Sequence, residues 1–226
     1  MPRARLKDWE GVAAWLLDSC GFTEPPIDPF ALADLWGFDV VRTTRSCLRG
    51  NVISVDDRKS RKRQRFDVAH ELAHWALHEC GHDAYDESAA HWVAGAVLLP
   101  QAAFKRDLSE VDWRLTELPD RYQVSWESLV KRVPQVVGAV VTMFDNGRIT
   151  WRARSAWLEG AAFDPTAATQ WEWDLLHDCR ERRQHTHASN LVDAYFLESD
   201  GWERIFVVAG IDEWETLTRA ETQDVG

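Results

Sequence analysis

The sequence has few cysteines and none close together. Cys20, Cys47, Cys80 and Cys179 are the four in 226 residues. No Cys-x-x-Cys pair occurs, and four scattered thiols are too sparse for a disulfide framework in a chain of this size. Reduced thiols and a cytoplasmic setting are therefore expected. Long apolar runs are also lacking, so no segment is expected to span a bilayer. Met1-Pro2-Arg3-Ala4-Arg5 is basic, but Lys7, Asp8 and Glu10 follow at once. That leaves no room for the apolar core of a signal peptide, and neither export nor a membrane partner is expected. Internal repeats, low-complexity tracts and an obvious flexible linker are missing as well.

Excess positive charge is absent too. The formal net charge is -11, and residues 155–226 carry 15 acidic against 5 basic side chains. The rest is close to neutral. An acidic final third disfavours non-specific DNA binding. The clearest basic cluster, Arg58-Lys59-Ser60-Arg61-Lys62-Arg63-Gln64-Arg65, reads as a solvated loop ahead of a helix. Its sharper reading is a contact patch for an acidic protein or for nucleic acid. What the chain does have is hydrophobic residues and 13 Trp, enough for packed cores.

Residues 7–19 show helical spacing of apolar residues, stopped by Gly21. After the rigid Pro25-Pro26-Ile27-Asp28-Pro29 turn, Asp28 caps a second helix with Pro29 at its first position, running to Gly37. Phe38–Val41 and Gly50–Val55 read as strands. Helices follow at about Gln64–His78 and Asp86–Leu99, the second ended by Pro100, with shorter helices over 101–133. Val137–Phe144 is β-like, Asp145-Asn146-Gly147 is a hairpin signal and Arg148–Trp151 is the return strand. A helix near Thr166–Arg183 and a strand at Glu203–Ala209 complete an α+β unit. Trp151, Trp157, Trp171, Trp173, Trp202 and Trp214 are expected in its core or an interface, with an aromatic ligand pocket as the alternative.

The chemistry lies in Arg65-Phe66-Asp67-Val68-Ala69-His70-Glu71-Leu72-Ala73-His74-Trp75-Ala76-Leu77-His78, which contains His-Glu-x-x-His. On a helix, positions four apart share a face, so His70 and His74 can point at one metal ion. Glu71 projects beside that face, placed to take a proton from water. Zinc suits this role because it acidifies bound water and polarises a carbonyl. The apolar flanks make buried histidines costly unless partnered.

A catalytic zinc needs a third protein ligand and an open position. His78 lies eight residues beyond His70, about 12 Å along the helix, which is too far for one ion. Glu87, at the start of the next helix, is preferred. Cys80 and His82, in the connection, are open to geometry, with Cys80 the stated alternative. His91 follows Glu87 by one helical turn, a candidate to hydrogen-bond Glu87 or substrate. Tyr85 is a candidate oxyanion donor by position.

These segments resemble the ImmA/IrrE family of metallopeptidases. Pro25–Val40 is similar to the family's opening helix and strand, and Gln64–His74 matches closely. Glu87-Ser88-Ala89-Ala90-His91-Trp92-Val93-Ala94-Gly95-Ala96-Val97-Leu98-Leu99-Pro100 resembles the family's Glu-x-x-Ala-Asn-x-Phe-Ala…Leu-Leu-Met-Pro stretch. The resemblance implies that Glu87 is the third zinc ligand. The departures are His91 for Asn, Val93 for Phe and Leu99 for Met. They leave the metal ligands in place and bear on what surrounds them.

The resemblance further implies a cytosolic zinc peptidase making a limited cut in a helix-turn-helix repressor, in stress response or mobile-element control. The expected fold is α+β: a zincin-like catalytic domain over 1–100, a helix-turn-helix-like helical segment over 101–135, and an acidic, Trp-rich unit of unknown role over 136–226. The 101–135 segment resembles the element following the catalytic domain in relatives. Its charges cancel, so packing or substrate docking is expected there rather than DNA reading. The strand at Gly50–Val55 is expected at a sheet edge beside the zinc. Asn51, Val52, Ile53 and Ser54 would then receive an extended substrate. Two alternatives remain: a non-catalytic zinc-bearing module that binds a repressor or toxin, and a DNA-binding regulator.

Overall fold

Local signals set the first elements of the computed structural model, which describes residues 8–22, 24–157, 163–189, 191–199 and 201–224. The basic segment Met1–Arg5 falls outside them. The chain divides into two units. One runs through Asp107 and adds Leu115–Leu129, and the other takes Leu108–Arg114 and the chain from Val130 onward. The 101–135 segment is thus shared between the units. Among the described residues, no helix is long and apolar enough to cross a membrane.

In the first unit, the Asp8 carboxylate accepts from the Gly11 N–H at 2.9 Å and opens α1 (Trp9–Asp18). Gly21, at a φ of +72°, turns the chain after it. Asp28 caps α2 (Pro29–Leu35) by accepting from the Phe30 N–H at 3.0 Å. Three short strands follow: β1 (Asp39–Thr43), β2 (Cys47–Arg49) and β3 (Val52–Asp56). β3 pairs parallel with β1 and antiparallel with β2, in the order β1-β3-β2. This corrects the expected edge strand. Val52, Ile53 and Ser54 lie in the central strand, paired on both sides, and Asn51 sits in the turn before it. The free edges belong to β1 and β2. Ile53 and Val55 are buried, and their alternation reports the inner face of a central strand equally well.

α3 (Arg61–Glu79) begins where Ser60 accepts from the Arg63 N–H. The basic run is therefore not a loop throughout, because its second half forms the first turns of this helix. Most of its charge is spent internally. Arg58 pairs with Asp56 at 2.7 Å, Lys59 with Asp67 at 2.7 Å and Lys62 with Asp120 at 2.6 Å. Arg65 is buried, donating to the carbonyls of Ile27 at 2.5 Å and Gln123 at 3.1 Å.

Asp86 caps α4 (Glu87–Leu98) through the Ala89 N–H at 3.0 Å. α3 and α4 pack face to face. Val68, Ala69, Leu72, Ala73 and Ala76 meet a helix whose inner side is Ala90, Val93, Ala94 and Val97, all fully buried. Each Val or Leu so placed contributes about 1.5–3 kcal/mol, and the alanines let the two backbones approach. Trp15, Trp36 and Trp75 cluster beside them, with Trp36 and Trp75 centroids 4.7 Å apart. The helical run then continues as α5 (Gln101–Glu110), a 3-10 turn (Leu115–Glu117), α6 (Leu118–Arg121) and α7 (Trp126–Val136).

The second unit holds an antiparallel five-stranded sheet. Its strands are β4 (Ala139–Asp145), β5 (Arg148–Arg154), β6 (Thr186–Ser189), β7 (Val192–Ser199) and β8 (Trp202–Gly210), in the order β5-β4-β8-β7-β6. Asn146 and Gly147, at φ +48° and +73°, form the two-residue hairpin turn. α8 (Gln170–Arg182) and α9 (Ile211–Asp224) pack against this sheet. Trp214 is buried in the core between them, and Trp171 and Trp173 pack at its margin. Trp157 and Trp202 are exposed, so the tryptophans are not all core. Inside the unit, Arg152 donates to Glu172 at 2.6 Å and to Thr142 at 2.9 Å, a buried pair with its hydrogen bonds satisfied.

Candidate metal centre

His70 and His74 sit one turn apart in the middle of α3, and Glu87 opens α4. Packing of the two helices brings their side chains together. His70 Nε2 and His74 Nε2 are 3.0 Å apart. Glu87 Oε2 lies 3.2 Å from His70 Nε2, and Oε1 lies 3.6 Å from His74 Nε2. The two imidazoles are largely buried while the Glu87 carboxylate is mostly open.

His74 Nδ1 is 2.7 Å from the carbonyl oxygen of Ala84. A carbonyl only accepts, so Nδ1 carries a proton and Nε2 is the nitrogen turned toward His70 and Glu87. His70 Nδ1 is buried without a partner among the described residues, and that ring's polar contacts are all made through Nε2. Two ring nitrogens and a carboxylate oxygen converging this closely need a proton or a cation among them.

A zinc ion fits the donor set. Zn–N and Zn–O bonds of about 2.0–2.1 Å in a tetrahedron place neighbouring donors about 3.3 Å apart, and the three separations here are 3.0, 3.2 and 3.6 Å. Two imidazoles and one carboxylate match the donor sets of catalytic rather than structural zinc sites. Burial, then the charges of His91 and His74, push the His70 pKa down to about 4. The imidazole is therefore neutral and metal-competent near pH 7.

Glu71, beside this trio on α3, is half-buried. Burial raises its pKa, opposed by the His74 charge and by the Leu48 backbone N–H. A carboxylate raised in this way is a better base near neutral pH than an exposed one. Around it opens a cleft of about 670 Å3 lined by β2, α3 and the α3–α4 connection, including Leu48, Glu71, His74 and Tyr85.

The other candidates fall into place around this cleft. Tyr85 is on its rim, 91% exposed. His78 also faces it, but is exposed and 3.3 Å from Glu79. Cys80 caps the end of α3, and His82 lies in the connection. Neither takes part in a cluster of three donors among the described residues. His91 does, since donor atoms of His70, Glu87 and His91 lie within 4.8 Å of one another. His74 completes the tighter trio, because its Nε2 is closer to both partners than the 4.0 Å between His91 Nδ1 and Glu87. Asn51, Val52, Ile53 and Ser54 do not line the cleft; Ser46, Cys47 and Leu48 do.

Three contributors have little signature in the sequence. Ala84 acts through its carbonyl and Leu48 through its N–H, so neither side chain marks them. Asp67 has helical spacing as its one sequence signal. It lies four residues before Glu71, on the same face, and binds Ser46 at 2.5 Å and Lys59 at 2.7 Å on the cleft wall.

Comparison with known proteins gives three results. Residues 27–133, from just before α2 into α7, match the family model described as Peptidase_M78, IrrE N-terminal-like domain. No curated protein matches the chain. Among solved structures, the chain is similar to one described as a Mycobacterium tuberculosis transcriptional regulator, with a TM-score of 0.65 and 15% identity, covering 91% of this chain and 76% of that one. At that identity the likeness is one of fold.

Proposed function

We propose that this chain, whose residues 27–133 are an IrrE N-terminal-like domain of the M78 peptidase family, is a zinc-dependent endopeptidase making limited cuts in a helix-turn-helix repressor or a similar regulatory partner. The observation that carries the reading is the convergence of His70, His74 and Glu87 with the half-buried Glu71 in one cleft. When bound, zinc supplies Lewis-acid polarisation of a peptide carbonyl and a more acidic water.

The protein groups supply the rest. Ala84 fixes the His74 tautomer through its carbonyl. Glu71 takes the proton from the attacking water and passes it to the leaving amine, a task its raised pKa suits. β2 is a free strand edge on the cleft wall, and an extended substrate segment pairs there in place of the central strand. The similar solved structure is described as a transcriptional regulator, which agrees with a regulatory setting.

The test uses purified wild type and Glu71→Gln. Both are expected to hold about one zinc per chain. Against candidate helix-turn-helix repressors from the same gene neighbourhood, wild type is expected to cut one that the variant leaves intact. Zinc retained by both with the repressor bound but uncut would favour the non-catalytic binding module. Failure of either protein to take up zinc would overturn the reading.

A further inference from the structure

We propose that His91 is a fourth, reversible donor to the metal held by His70, His74 and Glu87, and that it closes the coordination position a substrate must take. This rests on the zinc reading above and adds a latch to it.

Register comes first. His91 follows Glu87 by four residues on α4, so the two side chains rise from the same face. Their spacing is already close to what shared coordination needs. The donor atoms of His70, Glu87 and His91 all lie within 4.8 Å of one another, and His91 Nδ1 is 4.0 Å from Glu87 Oε2. Although His91 is largely exposed, one side of its ring packs against the site. It meets the His70 ring edge-on at 4.4 Å and lies 5.7 Å from Phe66.

The ring is held by a bond that it can exchange. His91 Nδ1 donates to the main-chain carbonyl of Glu87 at 2.8 Å. The same nitrogen lies 4.0 Å from the Glu87 carboxylate. With the proton on Nδ1 the lone pair is on Nε2, so rotation about the His91 side-chain bonds exchanges the carbonyl bond for a bond from Nε2 to the metal. Imidazole is a strong zinc donor, and four protein donors make a closed site while three leave it open. With His91 on the metal, the site is stored. With His91 back on the Glu87 carbonyl, it is open to a peptide.

The experiment compares the full chain as wild type, His91→Asn, His91→Ala and His74→Ala, each loaded with Zn2+ and with Co2+. His91→Asn keeps a polar side chain but removes the strong metal donor. His91 is exposed, so the fold tolerates both changes. Zinc affinity is measured by chelator competition, and imidazole number by X-ray absorption. The expected result is that both His91 variants bind zinc at least about 10-fold more weakly. They show two imidazoles where wild type shows three, and they cut a susceptible substrate faster. If both variants match wild type in affinity, with two imidazoles throughout, while His74→Ala loses the metal, the zinc reading stands and His91 is no ligand. If no protein, wild type included, takes up metal, both proposals fall.

Discussion

At the scale of single residues, the site is set by burial. His70 titrates near 4 because folding removes it from water, with His91 and His74 adding like charge. The unfolded imidazole titrates near about 6.5, so between these values the unfolded chain binds the extra proton. Stability is therefore complete above about pH 6.5 and falls as the pH drops toward about 4. Urea unfolding of metal-free wild type and His70→Gln at pH 7 and pH 4.5 checks this. Wild type should lose on the order of 2 kcal/mol more than the variant between the two conditions. Equal losses would mean that His70 carries no such linkage.

These residues also show what a sequence makes visible. His70, Glu71 and His74 stand out because helical spacing forces i and i+4 onto one face. Glu87 needed one more inference, that the next helix packs beside the first. The Ala84 carbonyl and the Leu48 N–H cannot stand out, because every residue has both groups and only the fold aims them.

At the scale of elements, α3 carries the site, and its position depends on one buried cation. Arg65 ties this helix to the carbonyls of Ile27 and Gln123, whereas Lys62, three residues earlier, makes a surface pair with Asp120. Removing Arg65 leaves two carbonyls without their donor, and an unsatisfied buried group costs about 1–3 kcal/mol. An exposed pair contributes about 0–1 kcal/mol. Arg65→Met is therefore expected to lower the free energy of urea unfolding by about 2–4 kcal/mol, and Lys62→Met by about 0–1 kcal/mol. Similar losses from both would mean that the depth of Arg65 carries no energetic consequence.

The elements that were legible beforehand share a cause. α1, α2, α4 and the β4–β5 hairpin announce themselves through caps, stops and turn residues: Asp8 and Gly21, Asp28 and Pro29, Asp86, Asn146 and Gly147. β2 has three residues, too few for periodicity, and this is why the edge was assigned to β3. The basic run looked like a loop because charge dominates its composition. Its helical half is fixed by the Ser60 cap and by the ion pair of Lys62 with Asp120, a partner distant in sequence. β6 and β7 mix polar and apolar residues without strict alternation, so only their neighbours in the sheet define them.

At the scale of the whole molecule, charge decides between partners. The net charge is -11, and three of the six cations in the main basic run, Arg58, Lys59 and Lys62, pair with Asp56, Asp67 and Asp120. A nucleic acid would find half of that run's charge already paired, and the acidic residues from 155 onward would repel it. A helix-turn-helix repressor presents the opposite surface, a basic face shaped for phosphates. Association with such a repressor should therefore be assisted by long-range attraction and weakened by salt. Fluorescence anisotropy measures this directly. With catalytically silent Glu71→Gln, affinity for the repressor should fall as salt rises from about 50 to 300 mM, while a labelled DNA duplex shows no binding at about 50 mM. Tight duplex binding at low salt, lost steeply as salt rises, would instead make the chain a DNA-binding regulator, and would require the Arg58–Arg65 pairs to open and face phosphates.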